Sequence, residues 1–161
     1  MSSTGRACCS GQREEASTAF RMKSAASRRT RKRQTVAIIN SNDDLVRLLR
    51  DGLVSLGFDV VTAHIRDIKS GQQDFTKFLN SHDPDVVVYD IAVPYEDNWT
   101  FFQTLLKLPE TQTRRFLVTT VNKRILDQRI GPTDAIEIQG GRADDLDPVL
   151  DAVQKLVEPV R

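Results

Sequence analysis

The length of 161 residues predicts one domain with one hydrophobic core. A hydrophobic fraction of 39% and a charged fraction of 28% are typical of a globular protein, and no apolar run reaches the roughly 20 residues of a membrane span. The net charge of +1 combines two unequal parts, because residues 1–33 carry nine Lys or Arg against two Glu. We therefore predict a basic tail, 1–33, and an acidic folded domain, 34–161.

Residues 1–33 are rich in Ser, Ala, Thr and Arg and have no sustained apolar period, which predicts disorder. The basic run 28–33 suits a nucleic acid or an anionic surface, and the alternative is a solvated tail. The only two cysteines, Cys8 and Cys9, are adjacent and make a poor disulfide pair. This pattern favours the reducing cytoplasm.

Short apolar, β-branched runs predict five strands. These strands are 36–39, 58–63, 86–88, 116–120 and 135–138. Apolar residues at helical spacing predict five helices between and after them, and the clearest are 45–56 and 146–156, the latter with Pro148 in its first turn. The alternation predicts an α/β, doubly wound, three-layer sandwich with a parallel five-stranded sheet.

Helix boundaries are predicted from capping residues. Ser41 or Asn42 is expected to cap the first helix, and a helix is expected to begin near Gln73 or Asp74 after an enlarged loop, 65–73. Asp97 or Asn98 is expected to cap the helix that contains Trp99 and Phe102, two aromatics assigned to the core. The next helix is predicted over 122–130. His64 and His82 are placed in loops without metal-ligand partners, which argues against a zinc site.

Asp90 is the main candidate functional residue, because it directly follows the buried run 86–88. Ligands and chemistry in open α/β sheets lie at the carboxyl ends of the strands. The alternative role for Asp90 is a structural hydrogen bond to the loop at 92–95. Asn40 and Ser41 follow the first strand and are neutral, so no like-charge crowding is expected to raise the pKa of Asp90.

Residues 34–158 resemble the receiver domain of two-component response regulators, of the chemotaxis type, with a flavodoxin-like fold. The run VVVYDIAVP is similar to the family's apolar strand, phosphoacceptor aspartate and following proline. The resemblance places Asp90 on the phosphoacceptor position, Pro94 on the proline, and Thr119 (Thr120 if the strand is shifted by one) on the hydroxyl residue. It implies a signalling module, not an enzyme.

Several positions depart from the family's pattern. Asn40 and Ser41 stand where the resemblance implies two acids that help Asp90 bind magnesium, and Gln139 stands at the lysine position. Asp43 and Asp44 align with the start of the first helix. The metal and the lysine supply the charge stabilisation of phosphoryl transfer. We therefore expect a degenerate, or pseudo-, receiver in which no cofactor is expected and magnesium binds only weakly if at all.

The expected function is a stand-alone module in two-component or phosphorelay signalling that acts through protein contacts. The resemblance implies a histidine kinase, phosphotransfer or output protein as partner, bound through the face of the last helix, and homodimerisation is a further alternative. A conventional phosphorylatable receiver and a flavodoxin-like small-ligand-binding protein are the alternative functions. A third is a nucleic-acid tether that binds through the basic tail.

Overall fold

The computed structural model describes residues 32–139 and 143–158. Disorder and anionic contacts were predicted for residues 1–33, and 1–31 lie outside the described residues. Within the described ranges, no helix is long and apolar enough to span a membrane.

The described chain forms one parallel sheet in the strand order β2-β1-β3-β4-β5. The strands are β1 Thr35–Asn40, β2 Asp59–His64, β3 Val86–Asp90, β4 Arg115–Thr120 and β5 Ile136–Glu137. The α-helices are α1 Asp43–Ser55, α2 Ile65–Ser70, α3 Phe75–His82, α4 Tyr95–Leu106, α5 Lys123–Ile130 and α6 Asp147–Val157. Two 3₁₀ turns cover Pro109–Thr111 and Ala143–Leu146. The predicted doubly wound α/β fold is confirmed.

The sheet is buried on both faces because successive strand residues belong to two different apolar clusters. Val36 and Ile38 of β1 pack with α1 and α6, whereas Ala37 and Ile39 pack with α2 to α5. All five residues of β3 are buried. Fully burying a side chain of this size stabilises the fold by about 1.5–3 kcal/mol. An unbroken apolar strand is the sequence pattern that this three-layer arrangement requires.

Side-chain caps start several helices as predicted. Of the two candidates before α1, Asn42 is the cap, because its Oδ1 accepts hydrogen bonds from the N–H groups of Asp44 at 3.0 Å and Leu45 at 3.2 Å. Asp74 caps α3 by accepting from the Lys77 N–H at 3.1 Å. These caps satisfy N–H groups that have no partner within the first helical turn.

The enlarged loop predicted over 65–73 is wrong, because α2 occupies most of it. Ile65 and Ile68 are one helical turn apart and both are buried in the cluster between the sheet and the helices of that face. His64 caps this helix by accepting from the Arg66 N–H at 3.1 Å. The described chain therefore has six α-helices instead of five. His82 is also not in a loop, since it is the last residue of α3.

The predicted start of α4 is also wrong. Neither Asp97 nor Asn98 caps α4, which begins at Tyr95 directly after Pro94 and has no side-chain cap. Burial of Tyr95 in the core draws the helix start forward, and Asn98 instead donates a hydrogen bond to the Ala92 carbonyl oxygen at 2.8 Å. The aromatic prediction is confirmed for Phe102, which is buried. Trp99 is only partly buried and packs against the same cluster, with its ring centroid 5.7 Å from that of Phe102.

The last strand is shorter than the predicted 135–138, because β5 contains only Ile136 and Glu137. The chain before β5 is held against α5. Asp127 Oδ1 accepts hydrogen bonds from the N–H of Thr133 at 3.0 Å and from its hydroxyl at 2.7 Å. Lys123 donates to the Thr133 carbonyl oxygen as well. These bonds tie Thr133 to α5, so β5 begins only after the chain leaves it.

Candidate functional site at the end of the third strand

The candidate site is built on Asp90, the last residue of β3, and Thr119 of β4. The two residues are paired in the parallel register, and the Thr119 hydroxyl donates a hydrogen bond to Asp90 Oδ1 at 3.0 Å. Asp90 is 4% exposed and Thr119 is fully buried. The alternative role for Asp90, a hydrogen bond to the loop at 92–95, is not what the structure shows.

Burial raises the pKa of the Asp90 carboxyl from 3.8 to about 6, and the hydrogen bond from Thr119 offsets part of this rise. The expectation that the pKa of Asp90 would not be raised is therefore wrong, because removing the carboxylate from water raises the pKa even without a like charge nearby. Burial also raises the pKa of the neighbouring Tyr89, and the negative charge of Asp90 adds to that rise. No hydrogen bond from a cationic side chain reaches Asp90 within the described residues.

Of the two candidate threonines, Thr119 donates its hydroxyl to Asp90 and Thr120 does not. The Thr120 hydroxyl donates to the Ile91 carbonyl oxygen at 2.9 Å, so it holds the chain that leaves β3. The two candidate threonines therefore have different hydrogen-bond partners. Asn98 adds a second support to the same loop through its bond to Ala92, and it was named from the sequence only as a helix cap.

Asn40 lies beside Asp90, because β1 pairs with β3 and the register ends at Ile39 opposite Tyr89. Asn40 is 2% exposed, and its Oδ1 accepts a hydrogen bond from the Asn42 N–H at 2.8 Å. Ser41 follows the strand and is exposed. The amide oxygen of Asn40 therefore stabilises the turn that leads into α1.

The residues around Asp90 do not fit a magnesium ion well. Mg²⁺ prefers carboxylate oxygens and water, whereas Asp90 contributes the one carboxylate among the predicted ligands Asp90, Asn40 and Ser41. The oxygen of Asn40 is already an acceptor within its own turn. Asp43 and Asp44 lie in the exposed first turn of α1. In the part of the chain that the structure describes, no three His, Cys, Asp or Glu residues are grouped as a metal site.

Gln139, at the predicted lysine position, is exposed and turned toward β5. Its Nε2 donates a hydrogen bond to Glu137 Oε1 at 2.6 Å, and the other Glu137 oxygen accepts from the Lys123 N–H at 3.3 Å. The ammonium group of Lys123 pairs with Asp127 at 2.8 Å. Neither Gln139 nor Lys123 has a hydrogen bond to Asp90. The structure brings Asp90, Thr119 and Asn40 to one edge of the sheet and shows no contact between Gln139 and Asp90.

Comparison with known proteins finds similarity in structure only. No protein-family model matches the chain, and no curated protein matches its sequence. A response regulator from Thermotoga maritima is similar over 78% of this chain and 98% of its own, with 16% identity and a TM-score of 0.55. A putative response regulator from Chloroflexus aurantiacus is similar over 79% of this chain and 100% of its own, with 20% identity and a TM-score of 0.55.

A chemotaxis protein of Vibrio cholerae is similar over 78% of this chain and 99% of its own, with 15% identity and a TM-score of 0.55. Each of these chains is matched over nearly its full length, so the similarity covers the whole sheet and not a single βα unit. The chain therefore has the fold of response regulator receiver domains.

Proposed function

We propose that this chain is a receiver-like module of two-component or phosphorelay signalling that acts through protein contacts and is not an enzyme. The receiver fold and the position of Asp90 at the end of its third strand support the assignment. Receiver domains work as partners of other proteins, so a histidine kinase, a phosphotransfer protein or an output protein is the proposed partner. The cytoplasm, where these partners operate, is the proposed location.

We infer that Asp90 is phosphorylated slowly or not at all. The observation that carries this inference is the chemistry around the carboxyl group. The residue beside it is the neutral Asn40, its own hydrogen bond comes from the Thr119 hydroxyl, and Gln139 binds Glu137. Phosphoryl transfer depends on positioned positive charge, and each tenfold in rate corresponds to about 1.36 kcal/mol of barrier.

The face formed by α5, β5 and α6 is the proposed partner surface. Two large apolar side chains are exposed near it, Val121 at 52% in the loop before α5 and Ile125 at 41% within that helix. The two residues flank Asn122, the cap of α5, so both lie at the start of this helix. A partner that binds these exposed side chains would not need Asp90 to be phosphorylated.

The test is incubation of the full chain with acetyl phosphate and Mg²⁺, followed by mass spectrometry. We expect no stoichiometric acyl phosphate on Asp90. The matched control is the triple variant Asn40→Asp, Ser41→Asp and Gln139→Lys, which restores two acids and the amine and is expected to gain Mg²⁺-dependent phosphorylation at Asp90. Stoichiometric phosphorylation of the unaltered chain would show a conventional receiver. A folded triple variant that stays unmodified would show that these three residues are not the cause.

A further inference from the structure

The short last strand leaves part of the β4 edge without a neighbouring strand. The register pairs only Thr119 and Thr120 of β4 with β5. Residues 115–117 lie beyond that ladder, and no other strand of the described residues pairs with β4 on this side. Unpaired strand edges are sites at which another extended chain can add.

The main-chain groups of Phe116 and the N–H of Val118 point toward this open side, whereas the register places the Val118 carbonyl oxygen against the Ile136 N–H of β5. Main-chain groups alternate between the two sides along a strand. The Arg115 N–H donates to Asp85 of the β3 side, and the Thr119 carbonyl oxygen accepts from Ile91 on the same side. The Thr120 carbonyl oxygen instead accepts from the Ile138 N–H at 2.8 Å, on the β5 side. The main-chain N–H and carbonyl groups of even-numbered β4 residues therefore point away from β3, toward the β5 side.

A groove follows this edge, and we call it the β4-edge groove. It has a volume of about 690 Å³, and its walls come from α4, α6, β4 and the chain before β5. The volume lies within the roughly 300–1,000 Å³ of ligand pockets. Trp99 and Leu106 form the wall on the α4 side, and Ala152 and Leu156 form the wall on the α6 side. All four are only partly buried.

The two apolar walls define what an added strand must carry. Phe116 and Val118 pack in the cluster on the α4 side, and Leu117 packs in the cluster on the α6 side. A strand paired with β4 presents successive side chains to opposite faces of the sheet. It would place one side chain against Trp99 and the next against Leu156. The groove therefore fits an extended segment with apolar residues at consecutive positions.

The charges at one end of the groove favour an acidic residue there. Arg115 begins β4 and is exposed, and Lys155 lies in the groove wall. Lys155 is close to the amino end of the sheet, because the Val157 carbonyl oxygen accepts from the Gln34 side chain just before β1. Neither cation has an ion pair with another described residue. Asp134, the acid in the lining, lies next to β5.

A second copy of the chain does not fit the groove through its own β4 edge. That edge would also lie at the floor of a groove between α4 and α6. Two such recessed edges cannot approach to the about 4.8 Å that separates paired strands. The occupant must instead be a narrow, extended peptide.

We propose that the β4-edge groove binds an extended segment of another protein as an added strand, with apolar side chains at consecutive positions and an acidic end beside Arg115 and Lys155. Main-chain hydrogen bonds to Phe116 and to the Val118 N–H supply affinity, and the two apolar walls supply selectivity. The groove lies toward the amino end of β4, whereas Thr119 and Asp90 lie at the carboxyl end. Peptide binding is therefore independent of the proposed loss of phosphorylation.

The probes are two labelled synthetic peptides, Asp-Asp-Val-Ile-Val-Leu-Asn and its reversed sequence, titrated into the full chain and followed by fluorescence anisotropy. At least one is expected to bind saturably, and its sequence then reports the strand direction. N-methylation of alternate peptide nitrogens removes main-chain donors and retains the side chains. We expect it to weaken binding about tenfold or more, which equals 1.4 kcal/mol.

Variants separate the groove from general stickiness. Ala152→Phe fills the groove and is expected to lower affinity about tenfold, again near 1.4 kcal/mol. Val54→Phe adds the same side chain on the exposed face of α1, outside the groove, and is expected to leave affinity unchanged. Peptide binding is also expected to slow amide hydrogen exchange at Phe116 and Val118 more than at Leu117, whose N–H faces β3.

The proposal is wrong if neither peptide binds, if the N-methylated peptide binds as tightly as its parent, or if Ala152→Phe behaves like Val54→Phe. Analytical ultracentrifugation tests whether a second copy of the chain occupies the groove instead. A dimer of the unaltered chain that Ala152→Phe dissociates would assign the groove to a second copy and would overturn the proposal.

Discussion

The Thr119 hydroxyl and the Asp90 carboxylate form a buried hydrogen bond of 3.0 Å between two adjacent strands. The two residues are 29 positions apart in sequence and are brought together by the parallel register of β3 and β4. This bond partly offsets the cost of burying the Asp90 charge. The protonation state of Asp90 therefore depends on the burial of its carboxyl group and on the hydrogen bond from the Thr119 hydroxyl.

Replacing Asp90 with Asn is expected to stabilise the protein above pH 6. The pKa of Asp90 rises from 3.8 to about 6 on folding, so the unfolded chain loses the Asp90 proton first as the pH increases. This group therefore lowers stability progressively between about pH 4 and pH 6, and the loss is complete above pH 6. By the linkage relation, Asp90→Asn should gain up to about 3 kcal/mol at pH 7.5 and little at pH 4.

Urea unfolding of both proteins across this pH range measures the difference. The other carboxyl groups titrate in both proteins, so their effect cancels in the comparison. A stability difference that does not change with pH would contradict the raised pKa of Asp90.

Replacing Thr119 with Val is expected to raise the pKa of Asp90 above about 6, since the Thr119 hydrogen bond lowers that pKa. The change also leaves the buried carboxyl without this donor, which should cost about 1–3 kcal/mol of folding free energy at pH 7.5. A ¹³C NMR titration of the Asp90 carboxyl group measures the pKa directly.

Thr120→Val is the matched control for Thr119→Val. It removes a neighbouring buried hydroxyl of the same type, whose bond goes to the Ile91 carbonyl oxygen. We expect it to destabilise the fold and to leave the pKa of Asp90 nearly unchanged. Equal pKa changes in the two variants would show that the direct bond is not the cause.

Replacing Asn42 with Ala is expected to destabilise the domain by about 1 kcal/mol, because Asn42 accepts from two N–H groups in the first turn of α1. Ser41→Ala is the control, because Ser41 is exposed and does not cap the helix. Chemical denaturation of both variants gives the two free energies of unfolding. If Ser41→Ala were the more destabilising change, the assigned cap would be wrong.

Replacing Asp127 with Ala is expected to release Thr133 from α5, because Asp127 accepts both the N–H and the hydroxyl of Thr133. Amide hydrogen exchange should become faster at Thr133. Asp134→Ala is the matched control, since it removes a nearby exposed carboxylate that does not bind Thr133. The same exchange rate at Thr133 in both variants would contradict this role for Asp127.

The pH dependence of this contact has the opposite sign to that of Asp90. Hydrogen bonds from Lys123 and Thr133 lower the pKa of Asp127. The contact is therefore expected to persist at neutral pH and to weaken as the pH falls through that lowered pKa. Thr133 exchange in the unaltered chain should approach that of Asp127→Ala only in acid, after correction for the intrinsic exchange rate.

Local patterns in the sequence were sufficient to predict the five strands, the doubly wound fold and the candidate Asp90. An apolar, β-branched run such as 86–88 is typical of a strand that is buried on both faces of a sheet. Asp90 follows that run directly, so its position at the strand end needed no knowledge of distant residues. The cap Asp74 was equally local, because it accepts from the N–H of Lys77, three residues later.

The predictions failed where residues distant in sequence, or packing against the core, decide the outcome. α2 forms because Ile65 and Ile68 find a buried cluster, although six residues alone make a weak helix. The pKa of Asp90 rises because the surrounding layers exclude water from it.

By itself, the sequence determined the order of the strands, the position of Asp90 at the end of β3 and the neutral residues Asn40 at the end of β1 and Gln139 after β5. Only the tertiary structure decided that Thr119 is the partner of Asp90, that Gln139 binds Glu137, and that β5 is too short to cover the β4 edge. The physical reason is that periodicity and capping act over a few residues. Burial, strand register and edge pairing are set only when elements far apart in the chain are packed together.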